Sequence, residues 1–353
     1  MFAMLNSIDQ LICSTYREDE YPVSLHQTRE WSRTLPLKGL TVLDATPVFR
    51  NTLVKHRALI AAGAELIVGI SDVMPRDEQI ADLLRRSSIR VMHPEDAPAA
   101  VDIILDCAAA FSAWQPRIGF VELTRSGVEK FSHVDKPVFL ADNGRIKRIE
   151  TCLGTGESYY RAMKQLGYDE WKGKKLVVFG SGKVGTGIIA YAHKLGARIT
   201  VVTDPKSVTA QITAFTTDII DYRDTPTVAQ AVQDAYAVVT ATGVAHALEG
   251  NCPAEALLHS PALLANMGVE DEYGPSIPAE RVLEGKKTLN FILDEPTHLK
   301  YIDATMALHN EGALYLSTHP EARGLIEPQP ELEEHLLEIC RLNGCITDEL
   351  DLI

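Results

Sequence analysis

The chain has 353 residues, 46% of them hydrophobic and 23% charged, and a formal net charge of −14. This length exceeds what one hydrophobic core usually serves, so we expect two domains. The acidic balance argues against nucleic acid as a partner, and no apolar run reaches the ~18 residues of a membrane span. The opening segment lacks a basic stretch and the six cysteines are scattered. We therefore expect a cytoplasmic protein whose partner is a small-molecule substrate.

Short apolar runs alternate with helix-like segments over residues 38–150. The runs are LTVLDATPV, AELIVGIS, IRVMHP, VDIILDCAAA, GFVEL and PVFLADN. Apolar runs of this length between periodic segments predict parallel strands joined by crossover helices. We therefore predict an N-terminal α/β domain over residues 1–150.

A second set of apolar runs follows a segment that predicts a long connecting helix ending at Gly167. These runs are KLVVFG, RITVVTD, TTDIID, YAVVTATG, ALLANMG and TLNFILDE, and they predict up to six strands of a second domain over residues 151–299. HNEG at His309 predicts a helix end, and PELEEHLLEICRLNGC predicts a C-terminal amphipathic helix. We expect residues 300–353 to complete the first domain.

The run LVVFGSGKVGTG joins a predicted strand to a predicted helix through a GxGxxG loop. Gly180 allows a tight turn, Gly182 lets the backbone approach a pyrophosphate, and Gly185 allows close packing of the helix. Asp204 ends the next strand, nineteen residues past Gly185. In dinucleotide-binding domains an acid at this position accepts hydrogen bonds from the adenosine ribose hydroxyls. The sequence thus predicts an α/β fold with two Rossmann-like domains, parallel sheets, a cleft between them and a C-terminal helix. The predicted cofactor is NAD. The Asp204 carboxylate would repel the 2′-phosphate of NADP, and the positive charge of Lys206 does not reverse that preference.

Several phrases outside the loop resemble one family over residues 38–310. LADNGRIKRIETCLGTGESYYRAM, VVTATG, LLANMG and LDATPVFRNTLVKHRALIAAGAELIVGIS are similar, in order and spacing, to segments of the S-adenosylhomocysteine hydrolases. In that family a tightly held NAD transiently oxidises the substrate, so the resemblance implies an NAD enzyme whose N-terminal domain binds substrate. It also implies a homodimer or higher homo-oligomer.

The resemblance, with the glycine loop, implies a set of cofactor contacts. These are Gly180, Ser181, Gly182, Lys183, Val184, Gly185, Thr203, Asp204, Thr242, Gly243, Asn266, Met267, Gly268, Asn290 and Thr151. Main-chain groups at strand ends can make most of these contacts. No cluster has metal-ligand spacing, so we predict no metal.

The family's proton-transfer positions are changed in this chain. Its Lys, Asp and His match Ile146, Cys107 and Val269. The candidate catalytic residues that remain are Lys147, Glu150 and His298. Lys147 and Glu150 would form a proton-transfer pair or belong to a solvated charge cluster, and His298 would face the nicotinamide or begin a helix.

Three functions are compatible with these residues. The first is an NAD-dependent oxidoreductase that acts on a small polar metabolite other than adenosylhomocysteine. The second is a hydrolase of the adenosylhomocysteinase type with rearranged acid–base residues. The third is a non-catalytic NAD-binding regulator.

Overall fold

The structure, a computed structural model, describes residues 2–72 and 76–352 and divides the chain into two compact units. Unit 1 contains the chain up to Ile149 together with His298–Asp351, and unit 2 contains Glu150–Thr297. The chain passes between the units one residue before the boundary predicted at 150 and two residues before the one predicted at 299.

The strands and helices are numbered in chain order. The strands are β1 (Thr41–Asp44), β2 (Glu65–Gly69), β3 (Arg90–Met92), β4 (Ile103–Asp106), β5 (Gly119–Glu122), β6 (Val138–Leu140), β7 (Lys175–Phe179), β8 (Arg198–Thr203), β9 (Asp218–Asp221), β10 (Ala237–Thr240), β11 (Leu263–Asn266) and β12 (Leu325–Ile326). The helices are α1 (Phe2–Thr15), α2 (Pro22–Thr34), α3 (Thr52–Ala61), α4 (Glu78–Arg86), α5 (Arg125–Val128), α6 (Gly144–Arg148), α7 (Thr155–Gln165), α8 (Lys183–Lys194), α9 (Ala210–Phe215), α10 (Thr225–Gln233), α11 (Ala254–His259), α12 (Leu299–Thr318) and α13 (Pro330–Asn343).

Each unit is built on a parallel sheet. Over the described residues, unit 1 has strand order β12-β6-β5-β4-β1-β2-β3 and unit 2 has β11-β10-β7-β8-β9. In both sheets the first strand of the unit lies inside the sheet, the next two strands are added on one side of it, and the chain then crosses to its other side. This is the doubly wound, Rossmann-like arrangement, and such sheets bind ligands at the carboxyl ends of their strands where the order reverses. The predicted α/β fold with two Rossmann-like domains, parallel sheets and a C-terminal helix is confirmed, although the two-residue strand β12 was not predicted.

Two local predictions are wrong. TLNFILDE is not a sixth strand of unit 2: only Thr288 bridges to β11, and Leu289–Ile292 form a 3₁₀ turn. The turn places Leu289 and Leu293 in the core and leaves Phe291 largely exposed, a helical rather than an alternating spacing. His309 is in the middle of α12 and not at a helix end, since Leu308 and Leu316 keep that helix in the core of unit 1. The predicted connecting helix is present: a π-helical turn at Ile149–Gly154 leads into α7, which ends at Gln165, two residues before Gly167.

A fully buried ionic cluster lies at the carboxyl end of β1. The Asp44 carboxylate lies 2.8 Å from Lys55 Nζ and 3.1 Å from His56 Nε2, and it accepts the Thr46 hydroxyl at 2.7 Å. Burial alone would raise the pKa of Asp44, but the neighbouring Lys55 and His56 hold it well below its usual range. His309 Nε2 faces the Val121 carbonyl oxygen at 3.0 Å, and burial lowers the pKa of its imidazole to about 3. These charges have no access to water, so removing one partner would leave the others buried without compensation.

Over residues 2–72 and 76–352, no helix is long and apolar enough to cross a membrane. The same residues contain no group of three or more His, Cys, Asp or Glu side chains arranged to hold a metal ion.

Candidate functional site

The glycine loop of unit 2 joins β7 to α8, as its sequence predicts. Gly180 has a φ of +101°, and a Cβ there would lie 2.5 Å from the Ala241 carbonyl oxygen. A Cβ at Gly185 would overlap the Gly180 carbonyl oxygen, so both positions require glycine. A Cβ at Gly182, by contrast, would meet no atom of the described chain within 4 Å. The backbone at Gly182 is therefore open to a ligand.

Helix α8 begins immediately after Gly182, which is its N-cap and provides no side chain to cap it. The first N–H groups of a helix have no partner within the helix, and they carry the positive end of its dipole. The main-chain N–H groups of Lys183 and Val184 are therefore suited to an anion such as a pyrophosphate.

A cavity of about 600 Å³ opens above this loop, within the size range of cofactor sites. Six of the predicted cofactor residues line it: Gly180, Ser181, Gly182, Thr203, Asp204 and Thr242. Its other lining residues were not predicted from the sequence: Phe179, Val202, Ser207, Tyr222, Val244, Ala247 and Asn251. They lie at the ends of β7, β8, β9 and β10 or in the loops that follow, which the strand order brings to one edge of the sheet.

The cavity is polar around Asp204. The Ser181 and Thr203 hydroxyls lie 2.8 Å apart, and Ser207 Oγ lies 3.2 Å from Ser181 Oγ. The Asp204 carboxylate accepts the N–H of Lys206 at 3.1 Å and pairs with Arg223 at 2.7 Å. Hydrogen bonding from the Lys206 N–H, together with the nearby Arg223, holds the pKa of Asp204 below its usual range. Asp204 is therefore an anionic acceptor at the position where a ribose would bind.

A buried carboxylate organises the loop after β10. Glu272 has no exposed surface, and it accepts the Thr242 N–H at 2.9 Å, the Thr242 hydroxyl at 2.8 Å and the Gly243 N–H at 2.7 Å. Glu272 was not among the predicted residues, because nothing in VEDEYG distinguishes it from the acids beside it.

We expect Glu272→Gln to weaken dinucleotide binding by about ten-fold, because hydrogen bonds to a charged group are worth about 1.5–3 kcal/mol each. Isothermal titration calorimetry would measure the loss. Glu249→Gln, which removes a partly exposed carboxylate from the same region, serves as the matched control and should bind as the wild type does. Equal affinity in the Glu272 and Glu249 variants would contradict a role for Glu272 in holding the loop.

The other predicted cofactor residues lie outside the cavity lining. Asn266 is fully buried, and its amide donates to the Glu270 and Lys286 carbonyl oxygens at 2.8 and 2.7 Å. Its side chain therefore serves the fold of unit 2. Asn290 is 5% exposed, and its Oδ1 has no hydrogen-bond partner in the part of the chain that the structure describes. Lys183, Val184, Gly185, Gly243, Met267, Gly268 and Thr151 also lie outside the lining.

The candidate catalytic residues lie where the chain passes between the units. Lys147 lies near the end of the first segment of unit 1, and Glu150 is the first residue of unit 2. His298 is the residue at which the chain returns to unit 1. Lys147 is 4% exposed and its Nζ donates to the Leu123 carbonyl oxygen at 3.1 Å, directly beyond the end of β5. It is a buried residue of unit 1 and not part of a solvated charge cluster. His298 is the N-cap of α12, which agrees with the alternative that it begins a helix.

The residues of unit 2 fit a dinucleotide on geometric grounds. The open backbone at Gly182, the uncapped start of α8 and the anionic Asp204 occur in the order that a pyrophosphate and its adenosine ribose require. Comparisons with known proteins agree. The family model NAD_binding_7, described as putative NAD(P)-binding, matches residues 170–263. Unit 2 is an NAD(P)-binding domain.

Similarity to curated relatives extends beyond unit 2. An adenosylhomocysteinase of Archaeoglobus fulgidus is 28% identical over 213 residues, covering 52% of this chain and 53% of that protein. The adenosylhomocysteinase of Thermotoga maritima is 27% identical over 286 residues, covering 72% and 67%. The chain is a divergent relative of the adenosylhomocysteinases. It spans between about half and two thirds of the length of these two proteins.

A solved structure supports the fold alone. A dipicolinate synthase subunit from Bacillus halodurans has a TM-score of 0.52 and 13% identity, and the match covers 79% of this chain and 98% of that one. The curated relatives are named as enzymes.

Proposed function

We propose that the protein is an NAD-dependent oxidoreductase that acts on an alcohol or amine carbon of a small polar metabolite. The observation that carries this proposal is the cavity of unit 2, in which an open glycine backbone and an anionic ribose acceptor lie together. When bound, the nicotinamide would supply hydride transfer. The chain would contribute the N–H groups of Lys183 and Val184 toward the pyrophosphate and Asp204 toward the ribose.

We propose NAD over NADP because the Asp204 carboxylate would repel a 2′-phosphate and accept ribose hydroxyls. We also propose that Lys147 holds the proton exchanged with the substrate, because a buried amine can act as a base. Glu150 and His298 are further candidates for proton transfer. Assembly into a homo-oligomer is proposed from the resemblance alone.

The residues at the family's proton-transfer positions favour a substrate other than adenosylhomocysteine. Val269, which matches the family's His, is 88% exposed and has no group that can move a proton. Cys107 and Ile146, which match its Asp and Lys, are buried. Losing one general acid or base typically costs about 10²–10⁴-fold in rate.

A hydrolase of the adenosylhomocysteinase type is the second candidate, because the curated relatives carry that name. We expect the NAD-loaded protein to release adenosine and homocysteine at least about 100-fold more slowly than a genuine adenosylhomocysteinase assayed in parallel. Release at a comparable rate would favour the hydrolase over the oxidoreductase.

The proposal is tested by incubating the protein with NAD and a panel of hydroxy acids, amino acids and adenosyl compounds. Absorbance of the reduced cofactor should rise with at least one compound, and Lys147→Met should abolish that rise without loss of NAD binding. NAD binding with no reduction by any compound of the panel, and no hydrolysis, would favour a non-catalytic NAD-binding regulator instead.

A further inference from the structure

Arg223 is a charged residue of the ribose end that the glycine motif does not include. It follows β9, and its Nη2 lies 2.7 Å from Asp204 Oδ2 while its Nη1 lies 3.2 Å from Asp221 Oδ2. Its guanidinium carbon lies 4.7 Å from the centroid of the Tyr222 ring, which lines the cavity. Arg223 is thus held in position by two carboxylates and an aromatic ring.

The charges at this end of the cavity are balanced. Asp204 lines the cavity, Arg223 pairs with both Asp204 and Asp221, and the Lys206 charge also acts on Asp204. An acid at the end of the second strand of such a domain favours NAD, whereas a nearby Arg accommodates the 2′-phosphate of NADP. This chain places both at one site, in direct contact.

We propose that Arg223 is a specificity-determining residue that limits the discrimination between NAD and NADP. The inference rests on the proposed role of unit 2 as a dinucleotide site. With NAD, Asp204 accepts the ribose hydroxyls and remains paired with Arg223. With NADP, the planar guanidinium exchanges the Asp204 carboxylate for the 2′-phosphate, since the fork of an arginine binds either oxyanion.

Removing Arg223 and removing the Asp204 charge should shift the preference between NAD and NADP in opposite directions. Without Arg223, the Asp204 carboxylate faces the 2′-phosphate with only Lys206 to oppose it. Without the Asp204 charge, Arg223 and Lys206 are available to the phosphate. The hydroxyls of Ser181 and Ser207, which lie within the same polar end, can donate to either ligand.

The test is the ratio of the NADP to the NAD dissociation constant, measured by calorimetry for the wild type and for Arg223→Gln, Arg223→Lys and Asp204→Asn. We expect Arg223→Gln to raise the ratio by at least about five-fold and Asp204→Asn to lower it by at least as much. Arg223→Lys should give an intermediate ratio, because the charge remains and the bidentate geometry is lost. Raising the salt concentration should reduce all three shifts.

Arg198→Gln is the matched control, since Arg198 is an exposed cation at the opposite end of β8, about 20 Å along the strand from Asp204. Its ratio should equal that of the wild type. An unchanged ratio in Arg223→Gln, or an equal shift in Arg198→Gln, would overturn the inference while leaving the dinucleotide site intact. A wild-type protein that binds neither nucleotide would overturn the proposed function itself.

Discussion

Replacing Gly182 by Val is expected to raise the dissociation constant for NAD by at least about 100-fold while leaving the fold unchanged. The added side chain would meet no protein atom within 4 Å, and the Gly182 φ of −71° is open to any residue. It would instead occupy the space through which a pyrophosphate reaches the first N–H groups of α8. Losing two hydrogen bonds to a charged group costs about 3–6 kcal/mol, which gives the expected loss of affinity.

Gly185→Val provides the structural contrast, because a Cβ at that position overlaps the Gly180 carbonyl oxygen. That variant should unfold at a lower temperature than the wild type, whereas Gly182→Val should not. Calorimetric titration with NAD and a thermal melt, run on both variants, separate the two effects. Undiminished NAD affinity in Gly182→Val would place the dinucleotide away from the loop.

Asp44→Asn is expected to lower the free energy of unfolding by about 3–5 kcal/mol, because it leaves Lys55 and His56 buried without their carboxylate. Chemical denaturation at pH 7 would measure the change. Asp82→Asn, which breaks an exposed ion pair with Arg85, should change stability by less than about 1 kcal/mol. Equal effects of the two substitutions would show that the buried pair contributes no more than a surface one.

The pH dependence of wild-type stability follows in part from the depressed pKa of Asp44. A carboxyl group whose pKa is lower in the folded than in the unfolded state stabilises the fold above its unfolded pKa of about 4. That stabilisation is lost as the pH falls below about 4, because the unfolded chain then binds the proton first. The wild type should therefore lose stability between about pH 4 and pH 2 more steeply than Asp44→Asn.

The strands and the glycine loop were predictable because their signals are local. Apolar runs such as KLVVFG sit between helical segments, and the spacing of Gly180, Gly182 and Gly185 is itself the motif. The 3₁₀ turn at Leu289–Ile292 was not predictable in the same way, since a short apolar run fits a strand or a helical turn equally well.

The residues that were not predicted from the sequence depend on contacts between distant segments. Arg223 is nineteen residues from Asp204, and only the pairing of β8 with β9 brings the loops after these strands together. Lys55 and His56 belong to a predicted helix, where charged side chains usually face water. Their burial follows from Asp44 at the end of β1, a partner that sequence spacing does not reveal.

The central claim, that unit 2 holds a nicotinamide dinucleotide across its glycine loop, is tested most directly by a crystal structure of the protein grown with NAD. We expect the pyrophosphate within hydrogen-bonding distance of the Lys183 and Val184 N–H groups, and the adenosine ribose hydroxyls on the Asp204 carboxylate. A dinucleotide bound elsewhere, or bound here with its ribose away from Asp204, would contradict the claim.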